Sequence, residues 1–317
     1  MKEYDIVFDL DNPRLTHTIL VNMVGTDKRV VDFGCHNGFL SKVLKDRGCS
    51  VVGIELDPEA AEQARSVCDK VICADLDELD LVKALDGERF DVGLFGDVVE
   101  HLKDPRRVLV QMRELLAPGG YIVVSVPNVA HISIRLKMLK GEFEYEERGI
   151  LDDTHLRFFT ANNITSFMES CGYLLDTMDC MQVGISEEDI RAALNPLGIG
   201  DWEAVRRELS SWEALAFQFI VKAVPADEAG LISKVSEDKA KAEMRLRSLE
   251  RDFKNNAAEL VVLRQALAEL KEEFDKASKY ARRLEAVLQE KEQEIAQLKQ
   301  TLPGPSEEGP KRRRHRG

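Results

Sequence analysis

The stretch Val30–Leu40, VVDFGCHNGFL, decides the fold. Val30, Val31 and Phe33 read as a strand, Gly34 starts a tight turn, and Phe39 and Leu40 open an apolar helix face. A strand that passes through a glycine turn into a helix is the ligand-binding corner of an open α/β sheet. A dinucleotide corner has the pattern G-x-G-x-x-G, and counted from Gly34 its second and third glycine positions hold His36 and Phe39. A P-loop is also excluded, because no G-K-[ST] follows. The turn therefore suits a nucleoside that carries no phosphates and ends in a charged amino-acid tail.

Working outward, strands are expected at Arg29–Phe33, Ser50–Glu55, Lys70–Ala74, Phe90–Gly96, Gly120–Val126, Leu174–Gln182 and Ala216–Ala223, with helical patterns between most of them. That alternation predicts a mostly parallel sheet covered on both faces, with the last two strands as a terminal pair, one of them antiparallel. Asp32, Glu55, Asp75 and Asp97 fall at the carboxyl ends of successive strands, where ligands of such sheets bind. A carboxylate at Glu55 is placed to accept hydrogen bonds from both hydroxyls of a ribose. Asp57, just before Pro58, reads as a helix cap.

Composition changes near Pro225, where the chain turns to Ala, Glu, Lys, Arg, Leu and Gln. One seam carries Leu246, Phe253, Leu260, Leu267, Phe274, Ala281, Leu288, Ile295 and Leu302; the other carries Leu249, Asn256, Leu263, Leu270, Ala277, Leu284, Lys291 and Leu298. About eight heptads in one register predict a coiled coil of roughly 85 Å, bound to a second copy or a partner helix; a solvated single helix would leave the seam uncovered. The expected division is 1–225 for the α/β domain, 226–302 for the coiled coil and 303–317 for a disordered basic tail. The Lys311–Arg316 cluster suits anionic lipid or nucleic acid, or serves as a solubilising end. The net charge of −13 argues against a nucleic-acid surface over the whole chain. No apolar secretory core or membrane-length run is visible, and the six cysteines show no CxxC pair, so reduced thiols and a cytoplasmic location are expected, with the basic tail as the part that would bring the chain to the inner face of the membrane.

The ordered set VVDFGCHNG, VVGIELDPEA, VICADLDELD, FDVGLFGDVVEHLKDP and LLAPGGYIVVSVPN resembles the motifs of class I S-adenosylmethionine-dependent methyltransferases. The segment LDDTHLRFFT, with YDIVFDLD, SVPNVAH and AFQFIVKA, resembles a ubiquinone-biosynthesis-like subset associated with bacterial envelope glycans, over roughly residues 4–225. His36 departs from the usual middle glycine of the first motif. The resemblance implies a Rossmann-like seven-stranded fold and S-adenosyl-L-methionine as cofactor, held by Asp32, Gly34, Gly38, Glu55 with Leu56, Asp75 with Leu76, and Asp97. It also implies O-methylation of a small-molecule or saccharide acceptor.

Methyl transfer to a hydroxyl needs orientation and removal of a proton. His155, in a lid over Asn128–Thr160, is the expected base, with Asp152 or Asp153 orienting its ring. Arg157 and His131 are the expected acceptor-binding residues, and His131, His101 and His17 are weaker candidates for the base. Neither Asp152, Asp153 and His155 nor Glu142, Glu144, Glu146 and Glu147 has a diagnostic metal spacing, so no metal is expected. Two other functions remain open. A scaffold that has lost catalysis is favoured by His36; RNA methylation is disfavoured by the acidic domain and the lack of an N-P-P-Y motif.

Overall fold

A computed structural model describes residues 11–198, 202–227, 235, 239–248 and 260–301. The strands are β1 Arg29–Phe33, β2 Ser50–Glu55, β3 Lys70–Cys73, β4 Phe90–Gly96, β5 Leu116–Pro127, β6 Tyr173–Gln182 and β7 Ala216–Pro225. They form one sheet in the order β3-β2-β1-β4-β5-β7-β6. β3 to β5 are parallel, and β7 inserts antiparallel between β5 and β6. The terminal pair therefore has the expected mixed direction.

The helices are α1 Thr16–Val24, α2 Phe39–Asp46, α3 Pro58–Ala64, α4 Leu81–Ala84, α5 Pro105–Leu115, α6 Ile132–Leu139, α7 Ala161–Ser170, α8 Glu187–Leu194, α9 Trp202–Leu209, α10 Trp212–Leu215 and α11 Leu260–Thr301. Side chains alternate across each strand, so the sheet carries two cores. Val30, Val51, Val92 and Leu94 pack with Leu20 and Val24 of α1 and Leu44 of α2. Val31, Phe33, Ile54 and Phe95 pack on the other face with Leu109 and Met112 of α5 and Met168 of α7.

β5 begins earlier than the expected Gly120, because Leu116 already pairs with Phe90 and the register then shifts before Val92. Gly120 makes this possible: a β-carbon there would lie 2.9 Å from the Ala117 carbonyl oxygen and 3.1 Å from those of Phe90 and Asp91.

The chain divides into two compact units, Met1–Lys234 and Val235–Gly317. In the second, α11 is one continuous helix of 42 residues, roughly 63 Å at 1.5 Å per residue. Of its seam, Leu270, Phe274, Ala281, Leu284 and Leu288 are half-buried. The N-terminal YDIVFDLD through Leu10, the seam residues Leu249, Phe253, Asn256 and Leu302, and the basic tail lie outside the described residues. No helix among the described residues is long and apolar enough to cross a membrane. The six cysteines are free thiols: Cys35, Cys49, Cys68 and Cys171 buried, Cys180 half-buried, Cys73 exposed.

Because each core closes within the first unit, a chain of residues 1–234 is expected to melt cooperatively within about 3 °C of the full-length domain transition. Calorimetry of both chains checks this; loss of the transition in the short chain would mean that the second unit completes the fold.

Candidate active site

Strand order places the site. From β1 the chain winds outward through β2 and β3, then returns to build β4 and β5 on the other side. The carboxyl ends of β1 and β4 thus form the crevice where connections diverge, the usual ligand position in such sheets. A cleft of about 590 Å³ opens there, lined by Asp32, Gly34, Cys35, His36, Glu55, Asp97 and His101, with His17, Phe39 and Lys42 at its sides.

The turn is built from the backbone. Gly34 and Cys35 donate their N–H groups to the Ile54 carbonyl at 2.8 and 3.2 Å, tying the turn to β2. Gly34 has φ 65°, and a β-carbon there would sit 2.8 Å from Val98 Cγ2. Gly38, at φ 83°, is the N-cap of α2. His36 takes the left-handed conformation at φ 49°, so the turn closes as it would around a glycine, at a cost of about 1 kcal/mol. That removes the structural reason for treating His36 as a sign of a lost site.

Three carboxylates are held in place around the cleft. Asp32 is 2 % exposed and accepts a 2.6 Å hydrogen bond from Ser41 Oγ. Burial pushes its carboxyl up to about 7, with the Ser41 hydroxyl pulling the other way. Glu55 accepts from the His36 N–H at 2.8 Å and from the Asp57 N–H at 2.9 Å, one on each oxygen. Each oxygen keeps a second lone pair, so the carboxylate is aimed before a ribose diol arrives. Asp97 accepts from Ser125 Oγ at 2.7 Å and from Gln218 Nε2, and its own N–H donates to Ser125 Oγ at 3.0 Å. Packing around Asp97 raises its carboxyl above the usual range, against the pull of Ser125.

The remaining cofactor-side expectations fall elsewhere. Asp57 caps α3, accepting from the Glu59 and Ala60 N–H groups. Leu56 is 64 % exposed. Asp75 follows β3 and accepts from the Asp77 N–H at 2.8 Å, beside the buried Leu76. Gly38, Leu56, Asp75 and Leu76 do not line the cleft.

A second cleft, of about 530 Å³, shares His36, Asp97 and His101 with the first. Its other walls are Glu100, Pro127, the lid residues 147–149 and 152–155, and Phe217 and Gln218 of β7. Asp152, Asp153 and His155 all lie here, but the expected carboxylate–histidine pair does not form. His155 Nδ1 lies 3.1 Å from the Ile150 carbonyl, and Asp152 accepts from the Thr154 N–H and Oγ1 instead. Arg157 does not reach the cleft; its guanidinium donates to the Lys103 carbonyl at 2.6 Å. His131 is the N-cap of α6, its ring between Ser133 Oγ and the Val183 carbonyl, each at 2.8 Å. Both tie the lid to neighbouring segments, Arg157 to the Lys103 carbonyl after β4 and His131 to the Val183 carbonyl after β6.

Sequence reasoning missed Ser41, Ser125, Gln218 and Glu100. Gln218 had a signal, a lone amide in the apolar run AFQFIVKA. Glu100 is 1 % exposed, and neither carboxylate oxygen has a hydrogen-bond partner. Glu100, His101 and His155 bring ligand atoms within 4.8 Å of one another.

The fold and the first cleft define a nucleoside-binding α/β domain whose acidic strand tips suit a cationic ligand. The family described as "Methyltransferase domain" matches residues 13–177, and the chain belongs to that family. Among curated relatives, a ubiquinone biosynthesis O-methyltransferase of Cereibacter sphaeroides is 33 % identical over 157 residues, 48 % of this chain and 61 % of that protein. One of Paraburkholderia phymatum is 30 % identical over 154 residues, covering 47 % and 66 %. The chain thus spans less than two thirds of the length of either relative. A solved S-adenosylmethionine-dependent methyltransferase of Archaeoglobus fulgidus aligns at 17 % identity over 70 % of this chain and 99 % of that one, with a TM-score of 0.46.

The residues present fit S-adenosylmethionine. Its ribose matches the preset Glu55, its positive charges match Asp32 and Asp97, and bulky His36 and Phe39 stand where a pyrophosphate would need bare backbone.

Replacing Glu55 by Ala is expected to weaken S-adenosylhomocysteine binding 10- to 100-fold, roughly 1.4–3 kcal/mol, with little change in melting temperature. Titration calorimetry reads this directly. Asp32 keeps its proton in the folded chain up to about 7, whereas the unfolded chain releases it near 4. Its contribution is therefore full below pH 4 and is lost as pH rises to 7, on the order of 4 kcal/mol. Denaturant midpoints at pH 5 and pH 8 should differ less in Asp32→Asn than in the wild type.

Proposed function

We propose that this chain is an S-adenosylmethionine-dependent O-methyltransferase whose acceptor hydroxyl enters the second cleft. The observation that carries this is the junction of the clefts at His36, Asp97 and His101, where a donor in one meets an acceptor in the other. Bound S-adenosylmethionine supplies a sulfonium methyl that leaves by in-line displacement, so much of the rate comes from alignment. Asp32, Glu55 and Asp97 hold the donor from the strand tips, and the lid holds the acceptor.

The Glu100–His101–His155 cluster is where the acceptor's proton is made easier to remove. Burial lowers the proton affinity of His101, and neighbouring His155 adds to this, which favours the uncharged imidazole. The ubiquinone biosynthesis O-methyltransferases among its relatives support oxygen as the accepting atom.

The acceptor we favour is a small molecule or envelope saccharide. A lipid-linked acceptor is the second reading, favoured by exposed Met138, Leu139, Phe143, Tyr145 and Leu156 on α6 and the lid. The heptad helix would serve self-association or a partner helix, and the basic tail would touch anionic membrane from the cytoplasmic side.

His155→Gln should lower kcat for methylation of a hydroxyl acceptor at least 100-fold, while S-adenosylhomocysteine affinity stays within about twofold. A methyl-donor assay across nucleotide sugars, glycan fragments and lipid-linked phenols, paired with calorimetry, measures both. Full kcat in this variant would place proton removal elsewhere.

A further inference from the structure

Glu100, His101 and His155, each able to offer a lone pair, bring their ligand atoms within 4.8 Å of one another in the wall of the second cleft. Thr154 Oγ1 gives its proton to Asp152 Oδ1 at 2.6 Å, so at 3.1 Å from His101 Nδ1 it accepts one. His101 is thereby fixed with its proton on Nδ1 and a lone pair on Nε2. His155 Nδ1 faces the Ile150 carbonyl at 3.1 Å, and a carbonyl only accepts, so His155 is fixed in the same tautomer. Glu100 adds a carboxylate whose two oxygens are buried without any partner. Desolvating a carboxylate costs several kcal/mol unless something positive meets it.

We infer that Glu100, His101 and His155 bind one first-row divalent cation, and that this cation fastens the lid to the end of β4. Two imidazole nitrogens and one carboxylate oxygen suit Zn²⁺, Mn²⁺ or Co²⁺ better than Mg²⁺ or Ca²⁺, which prefer all-oxygen sets. The outer groups are already in place: the Ile150 carbonyl holds one ring, and Asp152 through Thr154 holds the other. The ligand atoms, within 4.8 Å of each other, would draw in to about 3.5 Å around a cation with bonds near 2.1 Å. Three protein ligands leave positions open toward the acceptor cleft.

The lid consequence follows from chain position. Glu100 and His101 sit on the turn after β4, and His155 comes from the lid. The two segments are joined by hydrogen bonds, from the Leu156 and Arg157 N–H groups to the Glu100 carbonyl at 2.8 and 3.1 Å. A cation adds a bond of another kind at the same seam. It deepens the proposed function by letting a charge, rather than an imidazole taking up the proton, acidify the acceptor hydroxyl.

The test uses the full chain after chelator treatment, titrated with Co²⁺ and with Mn²⁺. One equivalent of Co²⁺ should bind with visible d–d bands of a nitrogen–oxygen site, and lid residues 142–158 should exchange amide hydrogens more slowly once it is bound. Glu100→Gln and His155→Gln should each weaken binding at least 10-fold, and Cys73→Ser, which removes the exposed thiol, should leave it unchanged. Circular dichroism melts exclude unfolding as the cause, and either variant alone suffices if the other is unstable. No binding by the wild type, unchanged binding in both variants, or equal affinity for Mg²⁺ would each overturn the proposal. S-adenosylhomocysteine binding, measured on the same samples, separates this failure from failure of the methyltransferase reading.

Discussion

The structure depends on parallel pairing of β1 with β4. These neighbours run in one direction, and the chain enters them from opposite sides of the sheet. Their carboxyl ends therefore cannot be bridged by a short connection, and a crevice remains. Phe33 and Phe95, stacked at 4.1 Å, close the core just below it. The polar groups of the site begin one or two residues later, at Gly34 and Asp97. The apolar floor and the acidic mouth are thus set by the same two strands.

The buried acids of the two clefts are costly to the fold. Burial opposes ionisation at Asp32, Asp97 and Glu100. Hydrogen bonds from Ser41, Ser125 and Gln218 offset part of this for the first two. Glu100 receives no such help. A site organised this way gains most from positively charged ligands, because their arrival relieves a penalty already present in the fold. The family's sulfonium donor answers that need in one cleft, and the cation we infer answers it in the other.

The lid is fastened by groups that look catalytic in the sequence. His131 and Arg157 carry the residue types expected to bind acceptor, yet both satisfy backbone carbonyls. The carbonyls they meet, Lys103 and Val183, belong to the segments that flank the lid, so these side chains join the lid to its surroundings. Asp152 acts similarly, through Thr154, on His101 rather than on His155. Chemistry-bearing residue types near a site are thus divided between reaction and support by which backbone groups lie unsatisfied.

The sequence by itself determined the sheet, its strand boundaries to within a few residues, the mixed terminal pair and the acids at the strand tips. These follow from local periodicity and from residues that sit at fixed offsets within one strand and its turn, as in VVDFGCHNG and VVGIELD. Only the tertiary structure decided which side chains hold those acids, that Gln218 reaches Asp97 from a strand 121 positions away, and that Glu100 and His101 meet His155. Partners so distant along the chain leave no local pattern. They are chosen by sheet order and by the lid's return over the cleft, which bring together groups that no sequence window contains.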